Sequence, residues 1–167
     1  KGDKEKVIYY ARDLFIDNFG GGEDYYLILK RIVNRDSWNS FVEEMIEEIK
    51  QKTKWDKFGL IAGIYKREQW WDKLFKLVKK SPSLDIVESY EKYLVNDYSE
   101  EIVQMYADGI MKYLENNVGK NHYITACRYI RKILVLGAKG KAHEIIEYLR
   151  NKYSNRPALQ KELSKLL

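Results

Sequence analysis

Between Tyr123 and Tyr153 the chain spells two amphipathic helices and the turn that joins them, and this stretch limits the possible folds more than any other. Tyr123, Ala126, Cys127, Ile130, Ile133, Leu134 and Gly137 recur at spacings that share one helical face, as do Ala142, Ile145, Ile146, Leu149 and Tyr153. Leu136-Gly137-Ala138-Lys139-Gly140 separates the two runs, and glycine can take the positive φ that ends one helix and reverses the chain. Neither helix can bury its apolar stripe alone. The spacing therefore predicts a helical hairpin inside a larger stack of hairpins.

The remainder reads as more of the same. Val7, Tyr10, Ala11, Leu14 and Phe15 predict a buried face on a first helix, and Gly20-Gly21-Gly22 predicts a flexible joint after it. A shift of 32 positions aligns Tyr26 with Phe58, Leu29 with Ile61, Ile32 with Ile64, Trp38 with Trp70, Val42 with Leu74, Met45 with Leu77 and Ile46 with Val78. Residues 24–52 and 55–80 are therefore expected to be two copies of one helix-turn-helix unit, with both indoles in equivalent places. Ser81-Pro82-Ser83 starts a new helix, and Asp97-Tyr98-Ser99-Glu100 reads as the cap of the next. Gly109 interrupts that helix's apolar face, which predicts a close helix approach. Pro157 opens a last short helix whose Leu159, Leu163 and Leu166 are expected to cap the stack.

Composition narrows the function classes. At 45% hydrophobic, 167 residues can bury a sizeable core in one helical repeat domain covering residues 1–167, with about nine helices. No run approaches the about eighteen apolar residues of a membrane span. The single cysteine excludes an internal disulfide framework and points to a cytoplasmic protein. The absence of an initiator methionine suggests the C-terminal fragment of a larger protein. Charge is divided: residues 119–167 hold eleven basic and three acidic side chains, so the net +5 of the chain resides in its last third.

No catalytic or cofactor-binding constellation emerges. Cys127 lies on an apolar helix face with no base beside it in sequence, so a buried, inert thiol is expected, and Cys127, His122 and His143 lack a fourth metal ligand. Glu43, Glu44, Glu47 and Glu48 fall between apolar helix positions and should form a wet face. Two features carry interaction signals instead. Trp70 and Trp71 are consecutive and cannot face one core equally, which leaves Trp71 as a possible interface anchor. Arg128, Arg131 and Lys132 cluster within about 100° on their helix, opposite Tyr123, Ile130 and Leu134, and predict an outward basic ridge.

The repeat period and the small residues at Leu136-Gly137 and Ala142 resemble tetratricopeptide-like α-solenoids, which implies stacked antiparallel hairpins. A second resemblance covers roughly residues 121–166: Ala126, Tyr129-Ile130-Arg131-Lys132, Gly137, Tyr148-Leu149-Arg150-Asn151-Lys152-Tyr153, Arg156-Pro157-Ala158-Leu159 and Glu162-Leu163. It looks like the helical tail of bacterial proteins with a SWIM-type zinc finger. The finger's Cys-x-Cys and Cys-x-His pairs are absent from this sequence, so no zinc ligand is assigned. The expected function is a non-enzymatic protein-interaction or assembly module without cofactors. The alternative is an accessory domain of a nucleic-acid-associated zinc finger protein that touches nucleic acid through the basic ridge.

Overall fold

The computed structural model describes residues 2–17, 23–52 and 57–166. They form nine α-helices: α1 Gly2–Asp17, α2 Glu23–Ile32, α3 Trp38–Lys52, α4 Lys57–Glu68, α5 Trp71–Lys80, α6 Leu84–Asn116, α7 Lys120–Val135, α8 Lys139–Lys152 and α9 Pro157–Leu163. The described residues contain no strand, and none of their helices is long and apolar enough to cross a membrane. The fold class is all-α. The expected joint at Gly20-Gly21-Gly22 lies outside the described residues. The chain divides into two compact units, Lys1–Trp70 and Trp71–Leu167, and the division falls inside the segment 55–80 read as a second repeat copy.

In the first unit α1 packs on α2 and α3 on α4. The buried face of α1 is Ala11, Phe15 and Ile16, whereas Val7, Tyr10 and Leu14 are exposed, which corrects the sequence expectation. Phe15 decides the rotation of the helix, because its ring meets Tyr26 of α2 at 5.1 Å. Tyr26 in turn meets Trp38 edge-on at 5.5 Å, and Trp38 stacks on Phe41 at 5.9 Å. Three donors converge on Glu68 at the end of α4: Tyr26 Oη at 2.9 Å, Lys30 Nζ at 2.9 Å and Trp38 Nε1 at 3.0 Å. Burial alone would raise the pKa of that carboxyl, but the hydrogen bonds from Lys30, Trp38 and Tyr26 outweigh it and hold the group below its usual range.

Trp38 and Trp70 are not equivalent. Trp38 is the first residue of α3 and buried, whereas Trp70 closes α4: its N–H donates to Tyr65 O at 2.9 Å and its half-exposed ring leans on Tyr65 at 6.1 Å. Gln69, between them in that closure, holds a left-handed φ of 56° that glycine would favour. Of the 32-residue register, Leu29 with Ile61, Val42 with Leu74 and Ile46 with Val78 are buried in both members, while Ile32 and Leu77 are only half-buried against their buried counterparts.

The second unit is built around α6, which reverses on itself. A straight helix would hold Leu84 and Gly109 roughly 37 Å apart at 1.5 Å per residue. Instead a Cβ added at Gly109 would lie 2.7 Å from Leu84 Cδ2, and Tyr106 Oη donates to Glu91 Oε2 at 2.5 Å. The reversal is at Tyr98, the one residue inside α6 with non-helical angles, φ −133° and ψ 35°. Its hydroxyl donates to Asp72, and its ring stacks on Phe75 at 3.9 Å, so α5 holds the bend. The sequence break expected at Asp97-Tyr98-Ser99 is therefore a turn between two antiparallel limbs. Gly109 is a point of close approach between them. Gly109→Val is expected to lower stability by about 1–3 kcal/mol, because branched methyls there must displace Leu84; an unchanged urea midpoint would remove the close approach.

The hairpin of α7 and α8 forms as its sequence implies. Gly137, at φ 84°, ends α7 with the paired bonds Ala138 N to Ile133 O (3.2 Å) and Gly137 N to Leu134 O (3.0 Å). Gly140 is not part of the break and lies in the first turn of α8. α7 packs on α8, and Ala126, Cys127, Ile130 and Ile133 of the one and Ala142, Ile145, Ile146 and Leu149 of the other are all buried. α9 packs on α7 and α8 with Leu159 and Leu163 fully buried. Pro157 takes the first helical position, where its missing N–H costs nothing.

Candidate functional site

The sequence-derived interaction residues all lie in the second unit, and most of them are engaged. Trp71 opens α5 half-buried, with its ring stacked on Tyr93 of α6 at 5.8 Å. Arg128 of α7 donates to Glu88 at 2.6 Å and covers the Tyr129 ring at 4.2 Å. Lys132 lies 3.3 Å from Glu91 and 3.4 Å from Glu88. Arg131 is exposed. The basic ridge therefore meets an acidic edge on the first limb of α6, and two of its three cations are neutralised within the unit. Glu88 is held below the usual carboxylate range by the Arg128 hydrogen bond, against the opposing effect of burial.

Two tyrosines complete this seam: Tyr106, which helical spacing places on the apolar face of α6, and Tyr129, which it does not single out. Tyr129 donates to Asp85 at 2.9 Å and Glu88 at 3.1 Å, and its ring packs 5.7 Å from that of Tyr106, which donates to Glu91. Burial first, and the carboxylate acceptors second, push both phenols well above their ordinary pKa, so they remain donors. The same pattern extends along the basic third. Lys141, Arg150, Lys152 and Lys165 pair with Glu144, Glu147, Glu115 and Glu162.

Cys127 is 1% exposed, and burial pushes its thiol up to about 11. Such a thiol carries almost no thiolate at neutral pH. A thiol reagent is expected to label Cys127 in the native protein many times more slowly than in urea, and equal rates in the two states would contradict its burial. His122 shares a 2.7 Å hydrogen bond with Tyr113, while His143 is exposed on α8. Among the described residues no three His, Cys, Asp or Glu side chains come together to hold a metal ion. Glu43, Glu44 and Glu47 face solvent, and Glu48 pairs with Arg12 at 2.6 Å and with Lys52 at 2.5 Å.

A cleft of about 740 Å³ lies at the open end of the α6 hairpin. It exists because the reversal at Tyr98 brings the beginning and the end of α6 together. Ser81, Pro82 and Ile86 line it from the start of the helix, Tyr113 and Asn117 from its end, and Thr125 from α7. Its floor is the Leu84–Gly109 contact. Ser83 fixes the entry to α6 by accepting the Ile86 N–H at 3.2 Å, and Asn117 fixes the exit by donating to Tyr113 O at 2.8 Å. Lys80 and Lys112 flank the cleft. A volume of this size, with an apolar floor and a few convergent polar groups, suits a peptide segment or a small ligand. Comparison with protein-family models, curated proteins and solved structures finds no match for this chain.

Proposed function

We propose that the chain is a non-enzymatic module for protein interaction, its helices stacked as antiparallel hairpins in the manner of tetratricopeptide-like solenoids. The cleft at the open end of α6 is its docking site for a segment of a partner protein. The observation that carries this reading is the cleft itself: three stretches of chain converge on it, and Leu84 packs against the backbone of Gly109 at its floor. The run of adjoining pairs, α5 with α6, α6 with α7 and α7 with α8, is in keeping with a stack. The nucleic-acid alternative through Arg128, Arg131 and Lys132 is less well supported, because phosphate binding needs several free cations and two of these three already face carboxylates.

The test is selection of random displayed peptides on the purified protein, repeated on Thr125→Trp, which places an indole in the cleft from α7. Peptides enriched on the wild type should lose binding to the variant. Absence of enrichment over a protein-free control, or equal binding to both proteins, would overturn the docking site.

A further inference from the structure

We infer that the segment filling this cleft is acidic, with aspartate or glutamate side chains pairing with Lys80 and Lys112. The inference rests on the docking reading above. Six of the eleven basic residues between 119 and 167 already have a carboxylate partner. Lys80, at the end of α5, and Lys112, on the second limb of α6, both line the cleft and have no carboxylate partner among the described residues. They stand on different helices, so two charges separated along an extended chain can be met at once. The N-terminal end of α6 adds the positive potential of its helix dipole.

The one carboxylate lining the cleft, Asp85, is engaged by the Tyr129 hydroxyl at 2.9 Å. Two asparagines supply the complement for a peptide backbone. Asn116 Nδ2 donates to Lys112 O at 2.9 Å and Asn117 Nδ2 to Tyr113 O at 2.8 Å. Each amide is thereby oriented by its own helix, and each Oδ1 stays open to a peptide N–H. A protein segment fits better than nucleic acid, because a phosphate backbone carries a negative charge at every nucleotide and would meet only two cations here.

The experiment uses the full chain and capped synthetic peptides taken from the selection described above. Enriched sequences should carry two or more Asp or Glu residues. Fluorescence anisotropy should show Lys80→Ala and Lys112→Ala each weakening binding by about two- to fivefold, which is what a single exposed ion pair contributes. Affinity should also fall as salt is raised. The exposed positions of both lysines keep these variants folded, and the Lys80→Glu, Lys112→Glu double variant should prefer basic peptides. Enriched peptides without acidic residues, or affinities indifferent to both lysines, would overturn the acidic class while leaving the docking site in place. A single-stranded oligonucleotide competing more strongly than the peptides would overturn it in favour of nucleic acid. No enriched peptide at all would overturn the docking site itself.

Discussion

Replacing Glu68 by alanine is expected to lower the stability of the first unit by about 2–5 kcal/mol. The carboxylate is 8% exposed as a side chain and accepts from Tyr26, Lys30 and Trp38, so its removal strands two donors that water does not reach freely, on Tyr26 and Trp38. Each such group costs roughly 1–3 kcal/mol when left unmade. Lys30 is half-exposed, returns to water and adds little. Glu68→Gln retains an acceptor and should recover about half of the loss.

The effect has a defined pH dependence. The folded-state pKa of Glu68 is lowered below the ordinary glutamate value of about 4.5, so the unfolded chain takes up the proton first as pH falls. The stabilisation is complete above the unfolded value and is lost as pH drops through the folded one. The gap between wild type and Glu68→Gln should thus narrow below about pH 4.5. Urea unfolding at neutral and acid pH reads both quantities, and a wild-type midpoint at neutral pH for Glu68→Ala would show that the carboxylate organises nothing.

The second large effect concerns α9. Leu159 and Leu163 are both at 0% exposure, and truncation of either to alanine is expected to cost about 2–5 kcal/mol, the upper part applying if the seven-residue helix cannot collapse into the space. Such a short helix has little intrinsic stability, so its packing holds it in place. Cys127 gives a local readout, because Glu162 and Lys165 lie close enough to influence its thiol. Leu163→Ala should accelerate labelling of Cys127 as well as lower the urea midpoint. Loss of stability without faster labelling would mean that α9 does not shield this part of α7.

How much of this was legible in the sequence follows the distance over which each feature is decided. The α7–α8 hairpin was legible because Gly137, its paired turn bonds and both apolar faces lie within about thirty residues. The close approach at Gly109 could be anticipated from a glycine on an apolar face, although its partner, Leu84, could not. On α1 the same periodicity found Ala11 and Phe15 but added three exposed residues. Val7, Tyr10 and Leu14 satisfy helical spacing as well as Ala11, Phe15 and Ile16, and only contact with Tyr26 on α2 selects between them.

The basic ridge was similarly incomplete. The angular clustering of Arg128 and Lys132 was readable, but Glu88 and Glu91 lie about forty positions earlier and belong to a different pattern. What the charge division encoded in this stretch was complementarity between α7 and α6. The cleft was beyond sequence reading because it is formed by two ends of one helix, brought together at Tyr98 by Asp72 and Phe75.

The reversal inside α6 also sets an order of events for the chain as it folds. Contacts between its limbs, such as Tyr106 with Glu91, span only fifteen residues, whereas those from α7 to the first limb, such as Arg128 with Glu88, span forty. Closing the shorter loop removes less chain entropy. The α6 hairpin is thus cheaper to close than the seam between α7 and the first limb, and it offers a preformed surface of Tyr106, Glu88 and Glu91 on which α7 can condense. Rates governed by such sequence-near contacts are fast. Substitutions along the limb interface should slow refolding, while those beneath α9 should mainly speed unfolding.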